Sequence, residues 1–229
     1  MPPDSDMAFK EENMKIKRLA ILSALALPAA PIAVNADTVS YTFTGTVSSG
    51  FDDIGLFGAP GSENLAGASF TAVFDVNLAR ESIGGDVLQV SGGTEFGTAS
   101  PFVSESLTIN GHTTNFVGGF FDIALVNVGT EFMVDAIAAN NNSLNFSFSN
   151  SSGSLPFSSL SAPLSYTAMA SDETSGALVL GDGTGQAEAD LNLLPTEVTI
   201  APVPLPAAAW LMLSGLGGLG VMARKRKAA

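Results

Sequence analysis

The single histidine is the first side chain to consider for catalysis in this sequence of 229 residues. A Ser-His-Asp hydrolase would have to use His112 as its general base. His112 follows the Asn110-Gly111 pair of a predicted hairpin, however, and the chain contains no GxSxG motif. One histidine and the absence of cysteine also argue against a zinc site and exclude a cysteine nucleophile. We therefore interpret His112 as an exposed turn residue.

Two glycine-rich loops carry the carboxylates that best suit a metal ion. One contains Asp52 and Asp53, and the other contains Asp182. Calcium prefers carboxylate and carbonyl oxygens, so these three residues are candidate Ca²⁺ ligands, although neither loop has EF-hand spacing. Further carboxylates without a recognisable pattern lie at Asp172, Glu173, Glu188 and Asp190. We interpret all of these acids as solvated turn residues and expect no catalytic residue, metal or cofactor.

Three phenylalanines beside glycine or proline, Phe51, Phe57 and Phe102, have side chains that could stack on sugar rings. Phenylalanine is more often buried, so we interpret them as plugs at the end of a β-sandwich. Arg80 is the only basic residue between Asp37 and Pro202. The sequence leaves open whether it pairs with an internal acid or lies on the surface.

The same central segment is strongly acidic. Eighteen acidic residues against one basic residue give residues 37–202 a net charge of −17. Such a surface repels nucleic acids and anionic lipids, which are bound through Lys and Arg. The charge therefore argues against nucleic-acid binding and favours divalent cations or neutral polymers as partners. The absence of cysteine also excludes disulfides and an acylated lipoprotein anchor.

The N-terminal region has the layout of a secretory signal peptide over residues 14–36. Three cations precede an apolar stretch at Leu19–Leu27, and small residues lead to a cleavage site between Ala36 and Asp37. Residues 1–13 are acidic and polar and do not fit this layout. We interpret them as an upstream extension and Met14 as the true start of translation.

The C-terminal region has the layout of a membrane anchor. Residues 207–223 carry no charge, and a helix of that length spans roughly 25 Å, near the lower limit for a bilayer core. Trp210 lies near its outer end, where indole rings favour the interface. The cluster Arg224, Lys225, Arg226 and Lys227 fixes the tail 224–229 in the cytoplasm by the positive-inside rule. With the signal peptide, this orientation places the central segment outside the inner membrane.

Three prolines precede the predicted helix, at 202, 204 and 206. They lack amide hydrogens and favour an extended backbone of the kind that a protease cleft accepts. The box formed by Val203, Pro204, Leu205, Pro206 and Ala207, with the glycine-rich apolar run and the basic end, resembles the VPLPA variant of the PEP-CTERM sorting signal. The resemblance implies recognition of the box by an exosortase-type membrane protease. It also implies cleavage near the box, transfer to the cell surface or extracellular polysaccharide, and a Gram-negative bacterium as source.

The central segment alternates apolar and polar residues, as half-buried β-strands do. In residues 39–47 the apolar positions are odd, and Phe70, Ala72 and Phe74 share a second face opposite Val73. Residues 106–109 and 112–116 predict a hairpin with a type I′ turn at Asn-Gly. Further strands are predicted at 121–128, 131–138, 143–149, 164–169, 176–181, 186–193 and 197–201. The stretch 41–74 is also similar to the first part of a β-rich ectodomain found in PEP-CTERM-type surface proteins.

The predicted class is therefore all-β: one β-sandwich or jelly-roll-like ectodomain at 37–201, between a signal peptide and a single transmembrane helix. Residues 202–206 form a proline-rich linker that carries the start of the sorting motif. The leading hypothesis is a non-enzymatic surface or matrix protein associated with exopolysaccharide or biofilm. Three alternatives remain: a carbohydrate-binding module stabilised by Ca²⁺, a polysaccharide-active hydrolase using two carboxylates, and an uncleaved type I membrane protein.

Overall fold

The computed structural model describes residues 38–58, 63–181 and 187–203. Within these ranges the chain forms thirteen strands and one short 3-10 helix at Thr94–Phe96. The strands are β1 (Thr38–Asp52), β2 (Glu63–Asn64), β3 (Ser69–Asn77), β4 (Ser82–Gly84), β5 (Val87–Gly92), β6 (Phe102–Ile109), β7 (His112–Phe116), β8 (Phe121–Asn127), β9 (Glu131–Ile137), β10 (Ser143–Ser149), β11 (Leu164–Thr167), β12 (Glu173–Gly181) and β13 (Ala187–Pro202). The predicted all-β class is confirmed.

The strands belong to one antiparallel sheet. Its order is β4-β5-β8-β9-β10-β12-β13-β1-β3-β6-β7, with β11 added to β13 and β2 added to β1. The sequence predicted a β-sandwich or jelly roll, and the structure shows one continuous antiparallel sheet. Long central strands make this possible, because β13 pairs with β12 over its first half, with β11 over its second half and with β1 along nearly its whole length.

Aromatic contacts show that the sheet curls over a common core. The ring of Phe43 in β1 stacks on Phe146 of β10 at 4.7 Å and on Phe132 of β9 at 5.8 Å between centroids. Phe70 of β3 also meets Phe146, at 5.5 Å. Since β1 and β3 are not neighbours of β9 and β10 in the sheet, these rings meet only because the two halves face each other. Aromatic pairs contribute about 0.5–1.5 kcal/mol each beyond the area that they bury.

The predicted alternation is confirmed where it was clearest. In β1 the side chains of Val39, Tyr41, Phe43 and Val47 are buried, and Tyr41 donates its hydroxyl hydrogen to Leu160 O at 2.8 Å. The hairpin is also confirmed, since β6 and β7 pair and close at Ile109 and His112. Asn110 has φ 53° and Gly111 has φ 80°, the left-handed pair that a type I′ turn requires.

One prediction of the strand pattern is wrong. Residues 186–193 and 197–201 do not form separate strands, because β13 runs through Pro195. A bulge opposite Thr44 and Gly45 takes up the irregularity. A Cβ on Gly45 would overlap Leu194 O, so only glycine allows this close approach. A bulge leaves one residue unpaired, and proline is tolerated in strands at such places.

The predictions for both ends of the chain lie outside the described residues. These are the extension 1–13, the signal peptide 14–36 and most of the C-terminal region, including the apolar run 207–223 and the tail 224–229. Among the residues that are described, no helix is long and apolar enough to cross a membrane.

Candidate functional site

The end of β13 reaches the first residue of the predicted sorting box. β1 and β13 pair from Val39 with Pro202 to Asp52 with Ala189. One residue further, the Val203 N–H donates to Thr38 O at 3.1 Å. The other four residues of the box, 204–207, lie outside the described residues. Thr38 is two residues from the predicted signal-cleavage bond between Ala36 and Asp37, so the two predicted processing points adjoin the same end of this strand pair.

Pro202 fits into this ladder without loss. Residues in an antiparallel pair alternate between hydrogen-bonded and non-hydrogen-bonded positions. The bond from Val203 to Thr38 therefore places Val39 and Pro202 in a non-hydrogen-bonded pair, where the missing amide hydrogen of proline costs no ladder bond. Val39 is buried, so the ladder is anchored in the core up to the residue that precedes the sorting box.

Two buried carboxylates form a second notable cluster, next to the loop between β7 and β8. Glu105 of β6 is 6% exposed and Asp122 of β8 is fully buried. Gly118 touches both: its N–H donates to Glu105 Oε2 at 3.1 Å, and its Cα faces the Asp122 carboxylate so closely that a Cβ would overlap Oδ1. Asp122 Oδ1 also accepts the Ile137 N–H at 3.3 Å, whereas Oδ2 has no partner among the described residues.

This environment raises the pKa of both acids. Burial raises the pKa of Glu105 to about 7; the charge of Asp122 adds to the effect and the Gly118 N–H opposes it. Burial also raises the pKa of Asp122, against the opposing influence of the nearby Ser100 hydroxyl and of the N–H groups of Gly119 and Ile137. Two close carboxylates in a poorly solvated place favour proton uptake, because an added proton removes both the desolvation cost and the repulsion.

A third acid is coupled to this pair through the sheet. Asp135 of β9 pairs with Ile123 on the face opposite to Asp122, and its Oδ1 has no partner among the described residues. Burial, followed by the charge of Asp122, raises its pKa to about 6. Raised carboxyl pKa values are a property of general acids. A polymeric substrate cannot reach Glu105 or Asp122, however, because both are shut off from solvent.

None of these three acids was predicted as a site residue, although the strand alternation contains the signal for Glu105 and Asp122. Glu105 has the same parity as Leu107 and Ile109, which point into the core, and Asp122 has the same parity as Ala124 and Val126. An acid on the apolar side of a predicted strand is the pattern that identifies such a residue.

The structure places the first calcium candidate, Asp52, in a structural role. Asp52 is buried, and its two oxygens accept the N–H groups of Leu56 at 3.1 Å and Phe57 at 2.8 Å, closing the loop after β1. Asp53 is exposed, and Asp182 lies outside the described residues. Among the described residues, no group of three His, Asp or Glu side chains is arranged to hold a metal ion. Calcium binding stays a prediction.

Asp172 lies at the centre of a polar network between β11 and β12. It accepts hydrogen bonds from the Tyr166 hydroxyl at 2.6 Å, the Asn150 side-chain amide at 2.6 Å and the Met169 N–H at 2.7 Å. Burial acts to raise the pKa of Asp172, but these bonds and one from Ser171 outweigh it and lower that pKa. The neighbouring Glu173 is exposed. The structure thus assigns Asp172 a role in joining loops, which its spacing did not reveal.

The remaining predicted residues are dispersed. His112 is exposed at the start of β7, while Glu188 and Asp190 lie on β13. Phe57 is buried in the core, and Phe102 packs edge-on against Phe74. Phe51 is half-buried. Phe57 and Phe102 therefore present no open ring face to solvent.

Arg80 is exposed and lines a cavity of about 120 Å³. The other lining residues are Asn77, Ala79, Ser91, Ala99, Ser100 and Pro101. A second cavity, of about 280 Å³, lies beside Glu131 and Glu173. Ligand pockets commonly enclose roughly 300–1,000 Å³, so both cavities fall below the usual range.

The described chain is thus a curled β domain whose last strand leads directly into a C-terminal signal. Residues 202–227 match the family model of the PEP-CTERM protein-sorting motif. The match begins at Pro202, the last residue of β13. It confirms the resemblance seen in the VPLPA box, and it supports export through a C-terminal sorting signal and, in general, processing by an exosortase-type membrane protease. No curated protein and no solved structure matched the chain.

Proposed function

We propose that this chain is an exported, non-enzymatic protein of the cell surface or extracellular matrix, processed by an exosortase-type protease. The observation that carries the proposal is that the sorting motif begins where the folded domain ends, at Pro202. Before processing, residues 207–223 anchor the precursor in the inner membrane, with Arg224–Lys227 in the cytoplasm. The β domain, which we take to be sandwich-like or jelly-roll-like, is extracytoplasmic.

The interior of the domain supports a role without catalysis. Of the three acids with raised pKa values, Glu105 and Asp122 are buried and Asp135 lies half-buried on the other face of the sheet, and the single histidine lies exposed in a hairpin. A polysaccharide hydrolase needs two carboxylates on either side of an accessible bond, an arrangement that the buried pair does not provide.

The charge of the domain supports a neutral or cation-bridged polymer as its surroundings. Residues 37–202 carry a net charge of −17, which repels nucleic acids and anionic lipids. Exopolysaccharide, as the family resemblance implies, is the partner class that we propose. Co-sedimentation of the released domain with host exopolysaccharide, with and without a chelator, tests this part. Equal recovery in the supernatant with and without polymer would contradict it.

Mass spectrometry of the native protein tests the sorting proposal. We expect the mature chain to begin at Asp37 and to lack Trp210–Lys227. A variant with Pro204 and Pro206 changed to alanine should keep the full C-terminal region, because the recognition box is altered while the helix and basic tail remain. The proposal is wrong if every wild-type molecule retains residues 210–227 in a host whose protease is active.

A further inference from the structure

The first residue of the sorting box is held by the folded domain. The Val203 N–H donates to Thr38 O, so β1 occupies one edge of the chain at the point where the recognition box begins. The opposite edge of β13 is covered by β11, whose last register partner is Ile200. Beyond Ile200, pairing among the described residues is therefore with β1 alone.

Pro202 and Val203 give the two edges of this strand end different chemistry. In an extended strand the N–H groups of alternate residues point to the same edge. Val203 presents its N–H to the edge that β1 occupies, whereas Pro202, which faces the other edge, has no N–H. The amide donor at the start of the box therefore lies on the edge that β1 covers.

We propose that the sorting protease and the N-terminal end of β1 compete for this donor-bearing edge. The protease would bind the box as an added β-strand, using the amide of Val203, and Thr38 and Val39 must first separate from Val203 and Pro202. This inference rests on the proposed function and deepens it, because it names the edge of the substrate that the protease reads. Peptide recognition by strand addition takes its affinity from such main-chain bonds.

A disulfide across the last register pair tests the competition. Non-hydrogen-bonded partners in antiparallel strands have Cα atoms about 4.5 Å apart, within the range that a disulfide spans. The double variant Val39→Cys/Pro202→Cys would lock the end of the ladder, and the chain has no other cysteine. The full-length variant is expressed in the host, and loss of the C-terminal segment is followed by pulse-chase, with and without a membrane-permeable reductant.

We expect the locked chain to be processed at least about tenfold more slowly than the single variants Val39→Cys and Pro202→Cys, with recovery on reduction. The control is Thr42→Cys/Thr199→Cys, three register pairs further into the same ladder, which leaves the end free to open. This is a hydrogen-bonded pair, whose Cα separation of about 5.5 Å a disulfide also spans. This control should be processed at the wild-type rate. Equal rates for both locked chains would overturn the inference, whereas failure of wild-type processing would instead overturn the proposed function.

A second variant weakens the ladder end without touching the box. Val39→Gly removes a buried side chain from the last pair and should speed processing severalfold, because the open end is populated more often. N-terminal sequencing confirms that the signal peptide is still removed at the same bond. An unchanged or lower rate in this variant would contradict the competition. This test is independent of Pro202, so it stays valid if the substitution Pro202→Cys impairs recognition by itself.

Discussion

The interior between β1, β3, β9 and β10 is filled with stacked phenylalanine rings, whereas the end beside the β7–β8 loop holds two buried carboxylates. In the aromatic region the contacts between phenylalanine rings are apolar and independent of pH. At the acidic end, Asp122 keeps one oxygen without a partner among the described residues, and burial raises the pKa of Glu105 to about 7. The comparison teaches that one continuous core can combine a constant source of stability with a part whose contribution varies near neutral pH.

The largest effect is expected from breaking the aromatic side of this comparison. Phe43→Ala removes a fully buried ring that contacts Phe74, Phe132, Phe146 and Phe148. Its loss should lower the free energy of unfolding by about 3–5 kcal/mol, measured by urea denaturation. Phe96→Ala serves as the control, because Phe96 is 43% exposed and should cost far less. Equal losses in the two variants would show that the rings do not stabilise the core as described.

A change at Glu105 should sharpen the contrast in pH dependence. The pKa of Glu105 is about 7 in the folded chain and near 4.5 when unfolded, so the folded state holds the extra proton between these values. Its contribution to stability is complete below pH 4.5 and is lost as the pH rises through about 7. The free energy of unfolding should fall by roughly 2–3 kcal/mol over this range. Glu105→Gln should flatten this part of the profile.

Urea denaturation at several pH values between 4 and 8 measures the Glu105 effect. Glu95→Gln, at an exposed position, is the matched control and should retain the wild-type slope. A slope that persists unchanged in Glu105→Gln would assign the pH dependence to other acids.

The smallest effect is expected at Asp135, on the other face of the sheet. Its pKa is raised to about 6, first by burial and then by Asp122, so its contribution is also lost as the pH rises, through about 6. Asp135→Asn should reduce this pH-dependent loss of unfolding free energy by about 1 kcal/mol. The effect is small because solvent screens the partly exposed carboxylate. In a double variant with Glu105→Gln the two effects should be close to additive, since Glu105 and Asp135 are each coupled to Asp122 and not to each other. A larger effect at Asp135 than at Glu105 would reverse the assignment of the dominant group.

Local features were predictable from the sequence because they depend on neighbouring residues. The odd parity of the apolar residues in β1 determined its inward face, and Asn110-Gly111 determined the turn of the hairpin. The sorting box was also recognisable, since its prolines, apolar run and basic end lie next to each other. These patterns act over a few residues, and the long-range folding of the sheet does not alter them.

The long-range features could not be predicted in this way. Glu105 and Asp122 belong to strands far apart in the order of the sheet, and they meet because the sheet curls and the β7–β8 loop turns back. The passage of β13 through Pro195 depends on Gly45, 150 positions earlier in the chain. Pairings of this kind are fixed by the closure of the whole sheet, which no single segment encodes.

The place of β13 in the middle of the sheet has a mechanical consequence. The strand that leads to the sorting motif has β1 along one side and β12 followed by β11 along the other. If the released protein is joined to a polymer through this end, tension on the joint runs along β13 and loads the hydrogen bonds on both sides at the same time. Such shear loading requires many bonds to fail together, so the domain would withstand flow or traction at its point of attachment better than one suspended from a strand at the margin of the sheet.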